Sequence, residues 1–320
     1  MLQKIDISNF TTVKGKYIDQ ISLTFETFGK PLHTAPIVLV NHALTGNSTV
    51  CGENGWWNGL IGKRKSIDTD QYTIVSFNIP GNGYDGVKEN LFEEYKIFTA
   101  RDIAAIFVEG LQKLNVQKLY AVIGGSVGGG IAWELAVLQP KMIKHLIPIA
   151  ADWKSTDWLK ANCLVQEQIL LNSSNPVYDA RLHAMIMYRS PQSFKQKFDG
   201  SYNDEKDMFN VESWLIHHGK RLEKRFSLLA YKSLNHVLAH IDITAERGSF
   251  EEVVENIESN IHIISVDSDM FFTEAEDKAT FAALKKIKSN VTHGSICSAH
   301  GHDAFLIEFE QLSELLKDVF

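Results

Sequence analysis

Between Leu119 and Ala136 the chain reads Leu-Tyr-Ala-Val-Ile-Gly-Gly-Ser-Val-Gly-Gly-Gly-Ile-Ala-Trp-Glu-Leu-Ala. An apolar run meets a glycine cluster centred on Ser126, and an alanine- and leucine-rich helical pattern follows at once. That order is strand, tight turn, helix. Gly124 to Gly128 fits G-x-S-x-G, in which a serine sits on a strained turn and glycines let strand and helix backbones pass closely. Ser126 would then stand at a helix N-terminus, where the backbone favours a developing anion. The same five residues also suit a plain strand-to-helix turn with a capping serine. A nucleophile needs a base and an oxyanion hole, which the rest of the chain has to supply.

Apolar runs at Gln20–Phe28, Pro36–Asn41, Tyr72–Phe77 and Leu146–Ala150 predict further strands, and Arg101–Leu114 has apolar residues at helical spacing. The repeated strand, loop, helix order indicates a mostly parallel sheet with helices on both faces. From Asp152 to Arg247 only helical patterns occur, at Thr156–Leu171, Asp179–Tyr188, Pro191–Phe198, Val211–Phe226 and Leu228–Ile241. We read a core domain of residues 1–151 and 248–320 with a helical lid insertion at 152–247. Strands resume at Ile261–Val266 and Asn290–Ile296, with helices expected at Phe281–Lys288 and Asp303–Val319.

The resumed strand ends in Asp267-Ser-Asp269 and the last strand in His300-Gly-His302-Asp303. Serine, acid and histidine in that order, each after a strand, match the chain order of an α/β-hydrolase triad. Singly, such an aspartate is usually a solvated turn residue and such a histidine a packed one. Their joint placement favours catalysis. The histidine would take the Ser126 proton and the aspartate would fix its tautomer. The backbone N–H groups of Leu44 and Val127 would form the oxyanion hole. Asp267 and Asp269 both stay open for the acid, as do His300 and His302 for the base.

The segments His42-Ala-Leu-Thr-Gly46, Gly55–Gly62, Ile67–Asp70, Gly124–Gly128, Tyr188-Arg-Ser190, Phe209–Ser213 and Gly301-His-Asp-Ala-Phe305 resemble the homoserine O-acetyltransferases. The resemblance implies transfer of acetyl from acetyl-CoA to homoserine through Ser126, en route to methionine, with His302 as base and Asp269 as its partner. It further implies that Asp303 binds the amino group of the acceptor, while Arg225, helped by Tyr231, binds its carboxylate. Arg189 is the other candidate for the carboxylate. A bidentate guanidinium suits a carboxylate and an acid suits an ammonium. The loop Ile79–Gly86, Ser227, Leu229 and the missing proline in Asp269–Thr273 depart from the family pattern. Acetyl or succinyl as donor, and homoserine or serine as acceptor, therefore both remain open.

A serine esterase or thioesterase on the same triad, and a catalytically silent binding protein on the same fold, are the alternatives. A net charge of -7 gives no electrostatic footprint for nucleic acid or an anionic membrane. Three scattered cysteines suit a reducing compartment, and no signal-peptide or membrane-spanning pattern is read, so a cytoplasmic protein is expected. His293, Cys297, His300 and His302 lack the spacing of a metal site, and no bound cofactor or metal is expected. The partners expected are small molecules, an acyl-CoA and homoserine, with a homodimer implied only by the resemblance.

Overall fold

The alternation of strand and helix is realised in a computed structural model that describes all 320 residues. Eight strands form the main sheet: β1 (Gln3–Thr11), β2 (Tyr17–Gly29), β3 (Ile37–Asn41), β4 (Thr73–Phe77), β5 (Leu119–Gly125), β6 (Ile143–Ile149), β7 (Asn260–Val266) and β8 (Val291–Ile296). Their spatial order is β1-β2-β4-β3-β5-β6-β7-β8. The β1/β2 and β2/β4 pairs are antiparallel and every other pair is parallel. β3 and β4 are buried throughout, as strands covered on both faces must be. Leu39 and Val122 enter one core layer, whereas Val38, Val40, Ala121 and Ile123 enter the other.

Helices α1 (Ala100–Lys113) and α2 (Val127–Leu138) cross between the central strands. After β6 come α3 (Asp157–Asn172), α4 (Pro176–Met187), α5 (Pro191–Phe198), α6 (Asn210–Glu223) and α7 (Leu228–Ala239). Between α5 and α6 lies a small antiparallel ladder, Tyr202–Asn203 with Met208–Phe209. A bridge and an ion pair of 3.3 Å join Lys154 to Asp242, tying the two ends of this helical stretch together. The chain then runs through α8 (Phe250–Glu255), β7, α9 (Glu274–Lys285), β8 and α10 (Phe309–Leu316). No helix is long and apolar enough to cross a membrane.

The small ladder within 152–247, a stretch read as helical only, and helix α8 were not expected, and three further elements differ from expectation for local reasons. β1 is not among the expected strands, because left-handed Asn9 (φ 59°) moves the buried side from Ile7 to Phe10 and breaks the alternation. α9 begins well before Phe281, at a capping box formed by Thr273 and Glu276. The final helix is split. Gly301–Leu306 is a 3-10 turn that opens on Gly301 at φ 64°, and α10 starts only at Phe309.

Register brings the functional loops together. Asn41 pairs with Gly124, so the loop after β3 lies beside the turn after β5, and Val266 pairs with Ile296, so the loops after β7 and β8 emerge side by side. The first pair depends on glycine: a Cβ on Gly128 would stand 2.5 Å from the Asn41 carbonyl oxygen. Overpacking of this kind costs about 1–3 kcal/mol. Gly128→Ala should therefore lower the melting midpoint in calorimetry, and an unchanged midpoint would refute this close-approach account.

Candidate active site

Ser126 has φ 57° and ψ -130°, an unfavourable conformation for a residue with a Cβ, and it immediately precedes α2. Its hydroxyl caps no helix N–H. The strain keeps the side chain clear of the helix it introduces, as the G-x-S-x-G turn requires.

The Nδ1–H of His302 donates to Asp269 Oδ2 at 2.7 Å, with both side chains almost wholly buried. The other oxygen, Oδ1, accepts from the N–H groups of Phe271 (2.7 Å) and Phe272 (3.0 Å). All of the carboxylate's strong contacts are thus assigned. The imidazole is boxed by the rings of Tyr188, Phe271, Phe272 and Phe305, with centroids 5.2–5.7 Å away. Phe305 also packs against Gly125, where a Cβ would meet its ring at 2.4 Å, so one ring abuts both the serine turn and the histidine. The other candidates are turned elsewhere. Exposed Asp267 accepts from the Ser298 N–H at 3.0 Å, and His300 Nδ1 lies 3.1 Å from Arg189.

Leu44 and Val127 are buried, and neither N–H finds an acceptor among the loop, turn and cap hydrogen bonds. Buried donors without partners are rare, and two beside a serine turn suit an oxyanion. The Leu44 loop is held by a residue that motif reading left without a role. His42 is fully buried, donates from Nδ1 to the Ala43 carbonyl (2.7 Å) and accepts at Nε2 from the Ile79 N–H (2.9 Å). Burial pulls its pKa down to about 4, so it stays neutral and braces the Leu44 loop against the Ile79–Gly86 loop.

Arg225, between α6 and α7, donates to the Thr45 carbonyl at 2.9 Å and so reaches the same loop. Partial burial, and then the charges of Arg181 and Arg221, lower its pKa to about 10, still leaving it protonated at neutral pH. The side chain is solvent-exposed, which weakens the contribution of burial to that shift. Tyr231 is buried, its pKa raised to about 12 by burial, and its hydroxyl has no partner. Asp303 receives Arg189 Nε at 3.0 Å, so Arg189 is engaged with an acid rather than free for a carboxylate. His293 turns to Ser265 Oγ at 2.8 Å, away from His300 and His302.

Behind Asp269 lie two more buried acids, Asp152 and Asp277, also outside the motifs. Asp152 Oδ1 accepts from the Trp153 N–H and the Thr280 hydroxyl. Burial pushes the Asp152 pKa up to about 7, and burial followed by the charges of Asp152 and Asp269 pushes Asp277 well above the usual range. A carboxyl raised on folding binds its proton more tightly when folded. The stability it contributes is full below its ordinary value of 3.8 and is lost as the pH rises toward 7. Asn keeps the accepting oxygen without the charge. Asp152→Asn should thus gain stability relative to the native chain between pH 4 and pH 8, by on the order of 4 kcal/mol. Denaturant titrations at the two pH values check this, and equal differences at both would rule it out.

A family model described as the α/β hydrolase fold matches residues 36–168. A homoserine O-acetyltransferase of Trichormus variabilis is 30% identical over 329 residues, spanning 94% of this chain and 89% of that protein. The crystal structure of homoserine O-acetyltransferase from Staphylococcus aureus superposes with a TM-score of 0.85 at 25% identity, covering 99% of this chain and 94% of the other. Esterase E22 superposes with a TM-score of 0.88 at 19% identity, covering all of both chains, a likeness of fold alone.

Proposed function

Because the chain belongs to the homoserine O-acetyltransferase family, an acyltransferase branch of the α/β-hydrolase fold, we propose that it moves acetyl from acetyl-CoA to the side-chain hydroxyl of L-homoserine by a ping-pong route. The observation that carries this reading is the buried 2.7 Å hydrogen bond between His302 and Asp269, joined through the Phe305 ring to the turn of a serine held at φ 57°.

In the first half-reaction His302 Nε2 takes the Ser126 proton while Oγ attacks the thioester carbonyl carbon. The oxyanion is received by the N–H groups of Leu44 and Val127. When the carbon–sulfur bond breaks, the imidazolium returns its proton to the CoA sulfur, leaving an acyl ester on Ser126. In the second half-reaction the acceptor hydroxyl gives its proton to His302 and attacks that ester. The serine leaves as an alkoxide and recovers the proton. Asp269 remains a carboxylate throughout and balances the imidazolium.

The acceptor carboxylate falls to Arg225 and Tyr231, and its ammonium to Asp303, whose Oδ1 is not engaged by Arg189. Helices α3 to α7 act as the lid that keeps water from the acyl-enzyme. Such a product fits methionine biosynthesis in the cytoplasm.

The test is acyl transfer by the purified protein, offered acetyl-CoA or succinyl-CoA with homoserine or serine, following free CoA and the O-acyl product. Homoserine-dependent CoA release from acetyl-CoA is the expected result. CoA release that ignores every acceptor would replace this reading with a hydrolase.

A further inference from the structure

Two polar atoms beneath the helices over the site have no partner. They are Gln166 Oε1 on α3 and Tyr231 Oη on α7, in residues 7% and 1% exposed. Both residues line one cavity of about 10 Å³, whose wall also includes Leu44 and two of the rings around His302, Tyr188 and Phe271. A cavity of that size holds about one water, and a group placed in it lies beside both residues.

The direction of the Gln166 amide is set by its other end. Its Nε2 donates to the Ala180 carbonyl (3.1 Å) and reaches His183 Nδ1 (2.9 Å), so the oxygen is the atom left for the cavity. An amide oxygen only accepts. The hydrogen it receives must come from the cavity's occupant, and a water that gives one hydrogen to Gln166 has its second for the phenol oxygen of Tyr231. That leaves the Tyr231 proton free for a second acceptor.

We propose that Gln166 is a positioning residue for the acyl acceptor: through one bridging water it turns the Tyr231 hydroxyl into a donor toward the acceptor's carboxylate. This rests on the acceptor role proposed above for Tyr231. Arg181, 5.7 Å from the Tyr188 ring, makes a neutral occupant more favourable than an ammonium.

The test is a double-mutant cycle with Gln166→Leu and Tyr231→Phe. Gln166→Leu should raise KM for homoserine about fivefold to tenfold, with the initial burst of CoA release from acetyl-CoA unchanged. In the Tyr231→Phe background the same change should add less than twofold. Additive effects, or a burst that falls in parallel, would overturn the proposal. A high-resolution crystal structure of the native chain decides independently of folding of the variants and of any turnover. A water within hydrogen-bond distance of both Gln166 Oε1 and Tyr231 Oη is expected, and a dry cavity would refute it. Failure of the native protein to acylate any acceptor, with that water in place, would instead count against the transferase reading.

Discussion

Replacing Ser126 by alanine is expected to abolish CoA release and ester formation together, lowering kcat by about 10⁴- to 10⁶-fold. The size of the effect follows from the two-step route, because the same hydroxyl accepts the acyl group in one half-reaction and surrenders it in the other. With the oxygen removed, the oxyanion donors at Leu44 and Val127 still polarise a bound carbonyl but no covalent intermediate forms. The alanine keeps the Cβ at φ 57° and leaves the glycine contacts around it untouched, so the fold should survive. A melting midpoint near that of the native chain, with a stopped-flow trace lacking any CoA burst, is the joint result sought. Substantial homoserine-dependent transfer by the alanine variant would mean direct attack of the acceptor on acetyl-CoA, and would end the ping-pong account.

The serine turn and the acid loop were legible because each follows an apolar strand run, whereas the histidine loop follows the mostly polar edge strand β8 and was legible through its Gly301-His302-Asp303 match. What local pattern does not encode is direction and distant pairing. Nothing near Asp303 in the chain signals its ion pair with Arg189, 114 residues away. His42 lay within a motif, yet its task became visible only once Ile79 was packed against it. Gln166, Asp152 and Asp277 carry no motif at all, and each matters through burial, which periodicity in a helical stretch does not assign to single side chains. β1 escaped for a narrower reason: one left-handed asparagine was enough to spoil the period-two signal. The start of α9 was recoverable, since Thr273 and Glu276 form a capping box readable in sequence.

The choice between the two acids after β7 turns on side-chain direction, and it leads to a sharp expectation. Asp269→Asn should lower kcat by about 10⁴-fold, whereas Asp267→Asn should stay within a few-fold of the native enzyme. In the native site Asp269 Oδ1 is committed to the N–H groups of Phe271 and Phe272, leaving Oδ2 to accept from His302 Nδ1–H. Asparagine has one accepting oxygen, and the two backbone donors claim it. Its NH₂ then faces Nδ1 and donates, which forces the imidazole proton onto Nε2, the nitrogen that must be bare to take the Ser126 proton. The variant is thus held in the wrong tautomer with its geometry nearly intact. Asp267 is exposed, and its one side-chain hydrogen bond, accepted from the Ser298 N–H, is served equally by an asparagine oxygen. Steady-state CoA release at one fixed pH distinguishes the two variants. A larger loss in Asp267→Asn would move the acid of the triad two residues upstream and leave the buried Asp269–His302 hydrogen bond as a structural contact.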